Sequence, residues 1–93
     1  MVVARLRVQF LVPDCSSLKQ KRFVLRSLKD RMRNRFNVAV CESDFQDKWQ
    51  RCELGIVTVA TDRTGAERVA RQIADFLEEE RRIVVCDCER EFY

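Results

Sequence analysis

A chain of 93 residues suffices for one domain and not for two. With no histidine, two glycines and one proline, it lacks the commonest general acid–base, the usual partner of a serine or cysteine nucleophile, and the glycines of a phosphate-binding loop. The formal charge is +3, but residues 16–36 hold eight of the eighteen basic side chains and one acid, Asp30, so that segment carries +7 and the remainder −4; such asymmetry speaks to partners and not to fold.

Residues 2–12 alternate, with Ala4, Leu6, Val8 and Phe10 on one side and Arg5, Arg7 and Gln9 on the other. That pattern predicts a half-buried strand ending at Pro13-Asp14. Ser16 or Ser17 then caps a helix with the apolar stripe Leu18, Leu25, Leu28, Met32 and Phe36 and a basic remainder; Phe23 falls off the stripe. Asn37 breaks this helix, and Val38–Cys41 reads as a short second strand. A polar stretch from Glu42 to Gln50 carries Phe45 and Trp49, and Cys52–Ala60 reads as a central strand. Thr61 or Asp62 opens a second helix with the stripe Ala66, Val69, Ala70, Ile73, Phe76 and Leu77. It closes on Glu78-Glu79-Glu80, where acids oppose the helix dipole. The last strand runs from Ile83 to about Arg90.

The order β-α-β-β-α-β with right-handed crossovers predicts one α+β domain over residues 1–93, of the ferredoxin-like split βαβ kind. Its sheet is antiparallel with strand order 4-1-3-2 and both helices on one face. This topology makes Ser16–Arg22 and Asp44–Gln50 neighbours at one end of the sheet. It also sets Asp87, Glu89 and Glu91 across from Arg5 and Arg7 on the open face, where opposite charges stabilise by roughly 0.2–1 kcal/mol per pair.

No apolar run approaches the roughly 20 residues needed to span a bilayer, and Arg5 interrupts the stretch a signal peptide would need. The five cysteines are an odd number with no CxxC, so reduced thiols in the cytoplasm are expected, with Cys86 and Cys88 as buried small apolar residues and no metal. No catalytic residue, cofactor or small-molecule substrate is expected. A phosphate-ester enzyme built on Asp44 or Asp47 with Lys19 or Arg22 ranks last among the functional readings.

Two features carry a functional expectation. Lys19, Arg22, Arg26 and Arg33 recur at spacings of three, four and seven, one lateral helix face that can track a phosphate backbone. Lys19, Lys21 and Arg22 lie at a helix start, where cations oppose the dipole and a ligand anion would be welcome. The other feature is the loop Asp44-Phe45-Gln46-Asp47-Lys48-Trp49-Gln50, whose tryptophan either anchors a partner or folds over the sheet's open face. The expected contacts to nucleic acid are therefore Lys19, Lys21, Arg22, Arg26 and Arg33, with Gln46, Trp49 and Gln50 adding stacking or hydrogen bonds.

Three segments carry a resemblance: Ser17-Leu18-Lys19-Gln20-Lys21-Arg22, then Arg33-Asn34-Arg35-Phe36-Asn37-Val38, then Asp47-Lys48-Trp49-Gln50 leading into Leu54-Gly55. In that order and spacing the chain resembles the YlxP-like family of small bacterial proteins, whose biochemical function is unassigned. The resemblance implies a ferredoxin-like fold. It also implies, through the placement of such genes near those of translation initiation and ribosome-binding factors, work around RNA or a ribosomal subunit. It supplies no catalytic residue. The leading expectation is a non-enzymatic RNA- or ribosome-associated protein. The alternative is a protein-interaction module that forms a homodimer through the open sheet face.

Overall fold

Alternation in the first strand and in the central strand forces both to bury one face, and the two amphipathic helices supply the cover. In the computed structural model, which describes all 93 residues, the elements are β1 (Val2–Leu11), α1 (Leu18–Arg35), β2 (Ala39–Asp44), β3 (Arg51–Ala60), α2 (Arg63–Glu78) and β4 (Val84–Phe92). The sheet is antiparallel throughout in the order β2-β3-β1-β4, the expected ferredoxin-like arrangement. β1 and β3 form its centre, and β2 and β4 are its edges. No helix is long and apolar enough to cross a membrane.

One core lies between the sheet and the helices. Leu6, Val8 and Phe10 of β1 and Leu54 and Ile56 of β3 meet Leu25, Leu28 and Met32 of α1 and Ile73 and Leu77 of α2. Each such side chain contributes about 1.5–3 kcal/mol by leaving water. α1 starts where the Ser17 hydroxyl accepts the Gln20 N–H at 3.2 Å and the Gln20 side chain accepts the Ser16 N–H at 2.8 Å, a near relative of the capping box. α2 starts where Asp62 accepts the Gly65 N–H at 2.7 Å. The buried Thr58 hydroxyl donates to the Asn37 carbonyl at 2.8 Å and pins the turn between α1 and β2.

On the open face two of the three expected acids pair with arginines: Arg5 bonds Glu91 and Arg7 bonds Glu89, in register Arg5↔Glu91 and Arg7↔Glu89, while Asp87 stands opposite Gln9. The cysteines of β4 differ from expectation. Gln9 pairs with Asp87 but Phe10 pairs with Val85, so a bulge leaves Cys86 without a partner position. A bulge interrupts strict alternation, and Cys86 is exposed while Cys88 is half-buried; neither is the buried apolar residue the strand pattern predicts.

The acidic end of α2 also resolves. Glu80 lies beyond the helix, bonded by Arg31 of α1 and by Arg82 Nε at 2.8 Å. The Arg82 hydrogen bond, with Arg31 behind it, holds the Glu80 carboxyl down at about 2 despite its partial burial. A carboxyl depressed in the folded state stabilises fully above its ordinary value of 4.5, and that contribution disappears as pH falls toward 2. Glu80→Gln is expected to cost about 1 kcal/mol at pH 7, discounted from the full shift because both guanidinium groups are solvent-screened. Urea midpoints of the two proteins should draw together below pH 4.5 and converge only near pH 2; parallel curves would contradict this.

Candidate nucleic-acid interface

Antiparallel pairing fixes which loops meet. Leu11, at the end of β1, pairs with Arg51 at the start of β3 and Val84 at the start of β4. The β1–α1 loop, the β2–β3 hairpin and the α2–β4 loop therefore share one end of the sheet. Two backbone and side-chain ties hold the first two together: the Val12 N–H donates to the Gln50 carbonyl at 2.8 Å, and Gln50 Nε2 donates to the Cys15 carbonyl at 3.3 Å. The expected neighbourhood of Ser16–Arg22 and Asp44–Gln50 is thus real, and Gln50 serves it as a strap. Gln46 likewise donates within the hairpin, to the Glu42 carbonyl at 3.2 Å.

Lys21 requires a correction. It is 1% exposed, because its spacing of four, seven and eleven from Leu25, Leu28 and Met32 places it on the core stripe and not on the basic face. Its Nζ lies 2.8 Å from Glu42 Oε2 and donates to the Phe45 carbonyl at 2.6 Å. Lys21 therefore reaches no phosphate. It fastens α1 to the hairpin at Phe45, whose backbone takes the left-handed φ of 63° with no glycine to relieve it. The Arg51 guanidinium lies 4.4 Å from the centroid of the Phe45 ring, a second restraint on that residue. Beside the pair sits Cys52, fully buried, its thiol pushed up to about 12 first by burial and then by the Glu42 charge. Such a thiol is inert as a nucleophile.

The remaining basic side chains separate into groups. Arg22, Arg26, Lys29 and Arg33 line a cleft of about 380 Å³ along the flank of α1 that faces edge strand β2. Arg33 donates to the Val40 carbonyl at 3.2 Å and lies 3.8 Å from Asp30. Arg22, Arg26 and Lys29 have no acidic partner within 4 Å. Lys19 is directed elsewhere, into a separate cavity with Arg81 and Arg82. Trp49 stays with the hairpin and does not fold over the sheet: it is 52% exposed and shares a shallow cup with Asp47, Lys48, Gln50 and Arg51.

Sequence reasoning missed Lys29, Lys48, Arg51, Arg81 and Arg82 as members of this surface. The signal for the last two was in the topology, which brings the α2–β4 loop to the end where α1 begins. On the opposite face the polar groups satisfy one another. Glu53 accepts from Gln9 at 2.9 Å and Ser43 at 2.8 Å, and the Gln9 bond leads in lowering its carboxyl below the usual range.

The chain is 37% identical over 68 residues to the Bacillus subtilis (strain 168) protein named "Uncharacterized protein YlxP", covering 73% of this chain and 74% of that one. A family model described as "Protein of unknown function (DUF503)" matches residues 3–90. On a match that spans nearly its whole length, the chain belongs to the DUF503 family, to which its fold and its three ordered segments had pointed.

Proposed function

We propose that the protein is a non-enzymatic RNA-binding protein of ribosomal particles, which holds phosphates along α1 and stacks a base on Trp49. One observation carries the reading: a cleft with four cations, three of them without an acidic partner, begins at the end of the sheet where the tryptophan is exposed. The first turn of α1 contains no acid, although the helix dipole favours one there. Burial of Lys21 in an ion pair explains that lysine; nothing internal explains Arg22 or Arg26, and a phosphate would. The reading implies a cytoplasmic location.

Trp49 is the sole tryptophan, so its fluorescence reports directly on the hairpin. Titration with a single-stranded RNA is expected to change its emission. Trp49→Ala is expected to weaken binding by about 1–3 kcal/mol, the measured worth of one stacked base. An unchanged affinity would remove stacking from the mechanism.

A second reading, a homodimer through the open sheet face, draws on Val57 and Val59, 40% and 46% exposed there, and on the shallow trough over Gly55 beside them. Light scattering that finds only monomer at about 100 μM, where an association of roughly −5.5 kcal/mol would register, would eliminate it.

A further inference from the structure

A cavity of about 510 Å³ opens between the β1–α1 loop, the first turns of α1 and the α2–β4 loop. Its floor is apolar, formed by Val12, Cys15 and Val24, and its rim carries Lys19, Arg81 and Arg82 against one acid, Asp14. The volume lies in the range of small-ligand sites, about 300–1,000 Å³, and an apolar floor with a few convergent charges is their usual composition. Arg82 is held in place, its Nε 2.8 Å from Glu80 Oε1 and its other end donating to the Ser27 hydroxyl at 3.1 Å. Lys19 and Arg81 have no acidic partner within 4 Å. Phe23 also lines the cavity and is 72% exposed, an aromatic face that the core of α1 does not use.

We infer that this cavity binds a nucleotide through its terminal phosphomonoester, with the base against Phe23. Lys19 and Arg81, neither with an acidic partner, stand beside Arg82, whose charge Glu80 already shares, and beside the one rim acid, Asp14; this cationic rim suits a group carrying about −1.5 to −2, which a phosphomonoester does at neutral pH and an internal phosphodiester does not. Arg82, with Nε on Glu80 and Nη2 on Ser27, keeps Nη1 free to donate to such a group from a fixed position. The exposed ring supplies the stacking surface, to which any base has a matching face. The site is distinct from the cleft, which lies on the flank of α1 toward β2. The same chemistry has two sources, a free mononucleotide or the phosphorylated end of an RNA strand, and only the second rests on the RNA reading above.

The test is an NMR titration of the full-length protein with adenosine 5′-monophosphate, repeated with inorganic phosphate and with one RNA oligonucleotide bearing or lacking a 5′-phosphate. Adenosine monophosphate is expected to shift the amides of Lys19, Phe23, Arg81 and Arg82 saturably. Inorganic phosphate should bind at least about tenfold more weakly, and Phe23→Ala and Arg81→Ala, both at exposed positions, should each weaken the nucleotide about tenfold, or about 1.4 kcal/mol. Preference of about tenfold or more for the phosphorylated oligonucleotide assigns the site to a strand end; equal affinity for the two, with mononucleotide binding intact, assigns it to the free nucleotide. Unmoved amides at these four positions, or variants that bind the nucleotide like the parent, overturn the inference. Oligonucleotide binding that shifts the cleft while mononucleotide leaves the cavity silent would overturn it and leave the RNA reading standing.

Discussion

Lys21→Met is expected to destabilise the protein by about 3 kcal/mol, the low end for a broken buried ion pair, because Glu42 keeps 21% of its side chain in water. Methionine fills nearly the same volume, so the packing loss is small. The loss comes from Glu42, left facing the buried Cys52 without its counter-charge, and from the Phe45 carbonyl, left without its donor. Lys21→Met with Glu42→Leu should recover most of it, since an apolar pair of similar volume often matches a buried ion pair. Urea unfolding of the parent, single and double variants measures all three. A single variant within about 0.5 kcal/mol of the parent, the range of ordinary surface changes, would show that the lysine is not a strut. RNA affinity supplies an independent check: below its unfolding transition Lys21→Met should bind as the parent does, because Lys21 touches no phosphate.

The second large effect concerns the cleft. Replacing Arg22, Arg26, Lys29 and Arg33 together with alanine is expected to reduce the salt dependence of single-stranded RNA binding by roughly three in log–log slope, about 0.7 for each phosphate no longer neutralised. Affinity at low salt should fall most, where counterion release contributes most. Three of the four are exposed and none is part of the core, so the unfolding midpoint should move little. Retention of the parent's slope would mean that the cleft does not track phosphates. Arg33 shares its guanidinium with the Val40 carbonyl, so the triple variant that spares it separates the electrostatic effect from any loosening of the β2 edge.

The architecture was legible because it is written in local patterns. Alternation in β1, the β-branched run of β3 and the two amphipathic stripes each report on a face that must be buried, and right-handed crossovers leave few ways to assemble them. Register on the open face was legible too, since Arg5 and Arg7 have matching acids two residues apart in β4. The features that escaped depend on contacts between distant segments. A lysine at a stripe position reads as surface until a carboxylate 21 positions later, on an edge strand, arrives to neutralise it. The bulge at Cys86 has no residue type that announces it; it shows only in how β4 pairs with β1. Among the functional residues, helical spacing identified Arg22, Arg26 and Arg33 as one flank but could not tell that Lys19 turns away from them toward Arg81 and Arg82, because those two come from the far end of the chain.

Binding to ribosomal particles is tested most directly by sedimenting the tagged protein with them through a gradient at low and at high salt, beside the variant that lacks the four cleft cations. The account predicts that the parent comigrates with one subunit at low salt and is released at high salt, and that the variant remains at the top of both gradients. Parent protein at the top under both conditions, or a variant that comigrates as the parent does, would contradict it.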